Sequence, residues 1–268
     1  MKRLKTPLTV LSAGLMVAFF STSVAAEIPA VARDAQIVVL GEQHDNPEHH
    51  QRQAEWVAAL SPRAVVFEML TPEQAEAANF EWTDQGDLDA AIGWADSNWP
   101  SFDMYFPIFA AAPKAVIYGA GVPRDVLSTQ LQQPLADHPL APAFGLDQPT
   151  EPDQQAAREA LQAVAHCNAL PIEMLPVMVD AQRLRDASLA DAALRAVEQT
   201  GGPVVVITGN GHARMDWAAP ALMAFAAPDV EVFALGQGEE GNDVEGEFSL
   251  TLDAPAPKRD DPCAAFAQ

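Results

Sequence analysis

Two glycine-led segments carry the side chains best suited to chemistry: Gly41 to His44 reads GEQH, and Gly209 to His212 reads GNGH. With Glu68 they offer two imidazoles and two carboxylates, Glu42, His44, Glu68 and His212. Imidazole with carboxylate suits a divalent metal such as zinc, iron or manganese. The same pairs serve as general base and acid on a bound substrate without any metal. A third use needs no ligand: the carboxylates cap helices and the histidines satisfy them in a polar network. His49 and His50 sit in the first turns of the helix expected after GEQH, so each either faces the same crevice or is an exposed polar residue. Gly41 and Gly209 remove side chains where the backbone must turn, and Gly211 allows a positive φ or a close approach beside His212. No GxSxG elbow, Walker loop or dinucleotide fingerprint accompanies them.

The elements that must position these groups are legible as short β-branched runs separated by helical patterns. Gln36 to Leu40, Ala64 to Phe67, Ala115 to Tyr118, Val204 to Ile207 and Val230 to Leu235 read as buried strands, with an edge strand near Glu247 to Leu252. Helices are predicted over Pro47 to Leu60, Pro123 to Leu131 and Met215 to Ala226. Alternation of this kind predicts an α/β fold, a mostly parallel β-sheet flanked by helices. Ligands of open α/β sheets bind outside the carboxyl ends of the strands, where Glu42, His44, Glu68 and His212 all fall. Two longer segments, about 72–112 and 153–199, are assigned to an inserted helical lobe. Trp82, Trp94, Trp99, Phe102, Tyr105, Phe106 and Phe109 crowd into the first, either as lobe core or as the lining of a pocket for a large flat ligand.

Lys2, Arg3 and Lys5 precede an apolar run from Leu8 to Phe20 and small residues ending at Ala26. That order predicts a secretory signal peptide over 1–26, and the run is shorter than the roughly 18–20 residues of a membrane span. Residues 27–268 are then one exported, periplasmic α/β domain, and with no cysteine at the cut it is not a lipoprotein. The formal charge is −22, and removing the leader makes it three charges more negative. Such a chain repels nucleic acid, which is excluded as a partner. Cys167 and Cys263, in an oxidising compartment, either form a bridge from the helical middle to the C-terminal tail or stay separate thiols.

Taken together, VVLGEQHDNPEHHQRQ at Val38 to Gln53, FEM at Phe67 to Met69 and VVITGNGHARMD at Val205 to Asp216 resemble the ChaN family of haem-binding, iron-regulated uptake proteins. Trp99 to Pro107, the pair Pro123 and Arg124, and AQRLRDASLA at Ala181 to Ala190 extend the resemblance over nearly the whole mature chain. It implies a protein that binds haem rather than an enzyme, with Tyr105 as the ligand of haem iron and Trp99, Phe102, Phe106, His49 and His50 around it. It also implies a homodimer bridged by stacked haems and a haem-transfer partner in the envelope. The wider superfamily, with the Tiki proteins and erythromycin esterases, implies the alternative of a metal-dependent peptidase or esterase. Glu42, His44, Glu68 and His212 would then hold the metal or activate water.

Overall fold

The computed structural model describes residues 28–264, and the expected leader over 1–26 falls outside them. The chain runs α1 (Ala30–Asp34), β1 (Ile37–Glu42), α2 (Pro47–Leu60), β2 (Ala64–Phe67), α3 (Pro72–Ala78), α4 (Gln85–Ile92) and α5 (Phe102–Ala111). There follow β3 (Val116–Gly119), α6 (Arg124–Gln130), α7 (Ala141–Phe144), α8 (Pro152–Ala165), α9 (Leu175–Thr200) and β4 (Val204–Gly209). The last elements are α10 (Asn210–Ala213), α11 (Ala219–Ala226), β5 (Val232–Glu239) and β6 (Leu250–Ala254). Among the described residues, no helix is long and apolar enough to cross a membrane.

All six strands are parallel, in the order β3-β2-β4-β1-β5-β6. Their apolar runs follow from burial on both faces, since side chains alternate across a strand. Val38, Leu40, Val65, Phe67, Val205 and Ile207 pack on one face with Trp56 and Val57 of α2 and Ile108 and Phe109 of α5. Ile37, Val39, Val66, Val204 and Val206 pack on the other, against the alanine stripe of α9 and Met223 of α11. Small residues along α9 let its axis lie close to the sheet.

Both segments assigned to the lobe are helical, and α5 and α9 cover the sheet directly. Phe109 stacks on Phe67 of β2 with ring centroids 4.3 Å apart. The helix predicted over Met215 to Ala226 begins only at Ala219; Pro220 opens it, and Arg214 and Asp216 pair at 2.6 Å in the turn before it. The start of α2 is set by Asn46, whose side chain accepts from the Glu48 amide, and by Pro47 in the first turn. Cys167 and Cys263 are joined, with Cα atoms 5.5 Å apart. The tail they anchor crosses the GEQH side of the sheet, where Arg259 pairs with Asp45 at 2.6 Å and with Glu239 at 2.5 Å.

A candidate site in the cleft above β2, β4 and β1

Because β4 lies between β2 and β1, the carboxyl ends carrying Glu68, Gly209 and Glu42 stand side by side. They open into a cleft of about 930 Å³ that Glu42, His44, Glu68 and His212 all line.

Glu42 is the last residue of β1 and is buried. Its Oε1 accepts from the Tyr105 hydroxyl at 2.7 Å and from His44 Nδ1 at 2.8 Å. His50 Nε2 donates to the His44 carbonyl at 2.8 Å, which leaves its Nδ1 facing Glu42 Oε2 at 3.4 Å, and neither of those two atoms has a hydrogen-bond partner. Burial works against a charge on His44, but the Glu42 hydrogen bond and the fields of Glu68, Glu42 and Asp45 outweigh it and raise its pKa to about 9. Trp99 meets the His44 ring edge-on, centroids 4.9 Å apart.

Glu68 follows β2 and accepts from Thr208 Oγ1 at 2.6 Å and from the Gly209 amide at 2.8 Å. Burial alone would raise its pKa; His212, His44 and the two hydrogen bonds prevail and hold it at about 2. His212, in α10, points Nδ1 at Asp186 Oδ1 (2.6 Å) and Nε2 toward Glu68 Oε1 (3.7 Å). Desolvation lowers the pKa of His212, yet the two carboxylates carry it above its ordinary value; burial pushes Asp186 up, against the pull of His212. The two imidazoles are therefore oriented by separate carboxylates, Glu42 and Asp186, with Glu68 between them electrostatically. Such oriented imidazoles can move protons at a bound molecule.

The glycines act by absence of volume. A Cβ on Gly209 would sit 2.9 Å from His44 Nε2, and one on Gly41 would sit 2.5 Å from Asn210 Oδ1 and 2.8 Å from the Leu235 carbonyl. Gly41 and Gly209 lie within strands rather than at sharp turns, and Gly211 has open space around it and no left-handed φ.

Several expected site residues stand elsewhere. Tyr105, expected to face haem iron, has 0% exposure; its ring packs on His50 and Trp94, its hydroxyl is donated to Glu42, and burial and the Glu42 carboxyl push its pKa far up. Phe102 packs against Trp94, and Phe106 against Trp82, as core of the helical layer rather than as cleft lining. His49 is buried too: it accepts the Gln43 amide at Nδ1 and donates from Nε2 to the Gly238 carbonyl, so it fastens the GEQH loop to β5. Only Trp99 of the expected aromatic set lines the cleft. The four Glu and His residues do not close on one point as metal ligands. Among the described residues no three His, Cys, Asp or Glu side chains are grouped to hold an ion, and His44 and His212 each turn Nδ1 to a separate carboxylate.

Asp186, Arg158, Arg185, Arg214, Trp217 and Gln237 also line the cleft and were not singled out from the sequence. Gln237 bonds the Gly41 carbonyl at 2.6 Å, Arg52 bonds its Oε1 at 2.7 Å, and Asn210 bonds its backbone, which stiffens the base of the cleft. The Arg214 guanidinium lies 3.6 Å and that of Arg158 5.1 Å from the centroid of the Trp217 ring. Asp186 carries a usable signal, a lone acid on the alanine-rich face of α9.

A protein-family model described as haem-binding uptake, Tiki superfamily, ChaN matches residues 28–223. Among solved structures, ChaN of Campylobacter jejuni, described with cofacial haem binding, is 20% identical, with 79% of this chain and 84% of that one covered and a TM-score of 0.63. The type III effector HopBA1 is 13% identical over 84% of this chain and 90% of that one, with a TM-score of 0.44. An erythromycin esterase, EreC in its open conformation, is 12% identical over 78% and 72%, with a TM-score of 0.41. No curated protein matches. The Campylobacter structure shares the fold, the family match spans most of the described residues, and both glycine-led segments lie within it: the chain belongs to the ChaN family of haem-binding uptake proteins in the Tiki superfamily.

Proposed function

We propose that this protein binds haem for uptake or handling of haem iron outside the cytoplasm, with the porphyrin at the lip of the cleft beside His44 and Trp99. Membership of the family across residues 28–223 is the observation that carries the reading. The residues at the lip fit an iron porphyrin, although not through Tyr105, whose enclosed hydroxyl would first have to leave Glu42. The His44 side chain is 35% exposed, its Nδ1 is held by Glu42, and its Nε2 has no hydrogen-bond partner among the described residues. Metal-bound imidazoles commonly have the second nitrogen held by a carboxylate, which fixes the ring and raises its basicity. Trp99 supplies an apolar wall, and the cleft falls within the range of ligand sites, roughly 300–1,000 Å³. Haem, when bound, would supply a ferric centre for the Nε2 lone pair, displacing the proton that the raised pKa of His44 keeps on the ring at neutral pH; this chain supplies the oriented ring and the Trp99 wall. Cofacial haem binding in the Campylobacter relative supports a pair of chains bridged by ligand; a haem-transfer partner in the envelope as recipient is part of the same proposal. The cystine and the expected leader support an exported, periplasmic protein.

Titration of the oxidised protein with ferric haem, followed by absorbance and by sizing, tests this. The expected result is a saturating Soret shift with growth toward a dimer, and in His44→Ala an altered band with affinity about ten-fold or more weaker. Absence of a saturable shift in the wild-type protein overturns the reading.

One observation favours a second reading, hydrolysis of an ester or peptide: the 2.6 Å pairing of His212 with Asp186 gives the cleft an oriented base. Turnover of an ester or peptide library that disappears in His212→Ala supports it, and absence of turnover in the wild-type protein removes it.

A further inference from the structure

In a chain this acidic, three arginines line one cleft without a carboxylate partner among the described residues. Arg158 of α8 is 9% exposed, and its Nε has no hydrogen-bond partner. Its one hydrogen bond runs from Nη2 to the Trp217 carbonyl, at 2.6 Å. Arg185 of α9 is half-buried, and Arg124, at the start of α6, is exposed; among the described residues neither makes a hydrogen bond or ion pair through its side chain. Arg185 lies within the fields of Glu68, Arg124 and Asp186, and Arg158 within those of Asp186, Arg183, Arg214 and Asp216, of which Asp216 is itself paired with Arg214. Burial holds both Arg158 and Arg185 below their ordinary pKa, the sign of charge that is not fully compensated.

The acids of the cleft do not account for these cations. Asp186 is engaged by His212, Glu68 by Thr208 and the Gly209 amide, and Glu42 by Tyr105 and His44. The exposed Asp243 and Glu245 at the rim make no ion pair with any of the three arginines. A buried guanidinium with an unused N–H is costly unless an acceptor arrives, and its planar fork matches carboxylate and phosphate oxygens. We infer that Arg158 and Arg185, which line the same cleft, with Arg124 beside Arg185, form an oxyanion subsite that takes a carboxylate or phosphate group of the ligand. The inference does not depend on haem. The anion comes either from the propionates of the porphyrin or from a separate small molecule in the same cleft.

Calorimetric titration of the oxidised full chain with inorganic phosphate, against chloride at matched ionic strength, tests it. One phosphate per chain is expected, with affinity about ten-fold weaker in Arg185→Gln and unchanged in Arg195→Gln, which removes the same charge far from the cleft. Arg158→Gln repeats the loss if its urea midpoint shows it folded; Arg185, which has no bond to lose, decides the question if it does not. The source is read from competition: displacement of phosphate by ferric haem but not by haem dimethyl ester assigns the subsite to propionates. Phosphate bound alongside both assigns it to a second ligand. No saturable binding of phosphate or acetate at millimolar concentrations, or equal binding in Arg185→Gln, overturns the inference, and neither result depends on whether haem binds.

Discussion

Replacing Tyr105 by phenylalanine separates two roles that the same residue has been given. The substitution keeps the ring packed on His50 and Trp94 and deletes the 2.7 Å hydrogen bond to Glu42 Oε1. Glu42 is 1% exposed and its Oε2 already lacks a partner, so water does not readily replace the lost donor. Hydrogen bonds to charged groups contribute about 1.5–3 kcal/mol, and we expect Tyr105→Phe to cost ~2 kcal/mol. For a chain of this size that corresponds to a fall in Tm of roughly 4–8 °C. Urea unfolding of the oxidised protein measures the loss, and a haem titration of the same sample is expected to show the wild-type Soret position. Stability unchanged within about 0.5 kcal/mol would refute the buried-donor role. A lost Soret band in a variant of intact stability would return the phenol to the iron.

Two further outcomes follow from charges and covalent bonds. Glu68, held at about 2, contributes stability that is present above its unfolded pKa of 4.5 and is lost as pH falls through about 2. His44, raised to about 9, contributes stability that is full below 6.5 and is lost as pH rises through about 9. Denaturant midpoints are therefore expected to decline on both the acid and the alkaline side, with the alkaline decline absent in His44→Ala; an unaltered alkaline limb in that variant counts against the assignment. Reducing Cys167–Cys263, which closes a loop with a sequence separation of 96, is expected to destabilise by up to about 4–5 kcal/mol on chain-entropy grounds. Thermal melts with and without a phosphine reductant measure it, and coincident melts would show that the loop closure adds nothing.

The strands were readable because both faces of a parallel sheet are buried, so runs such as Ile37 to Leu40 and Val204 to Ile207 are apolar without alternation. The clustering of Glu42, Glu68 and His212 was readable for a related reason, since each stands at or just beyond the carboxyl end of a strand, where open α/β sheets take their ligands. What was not readable is the insertion of β4 between β1 and β2, which no local pattern encodes. Asp186 meets His212 only because α9 crosses the sheet beside β4, a contact made by packing rather than by spacing. Tyr105 is instructive in a different way. Phe102, Tyr105 and Phe109 recur at helical spacing and all are buried, so the stripe itself marks Tyr105 as core, against the chemistry its phenol suggests. Arg124, Arg158 and Arg185 come from α6, α8 and α9, scattered through sequence that reads as ordinary solvated helix.

The cystine also changes what a single backbone cut means. Residues 167–263 form a closed covalent ring, inside which lie Asp186, Arg185 and His212, while Glu42, His44, Glu68 and Arg158 lie outside it. One peptide-bond cleavage within the ring, for instance in the exposed stretch from Pro171 to Met174, leaves both pieces joined through Cys167 and Cys263. The two halves of the cleft then stay on one molecule after a nick that would separate them in the reduced chain. On a non-reducing gel such a nicked protein still runs as a single full-mass band, and two fragments emerge only when reductant is added.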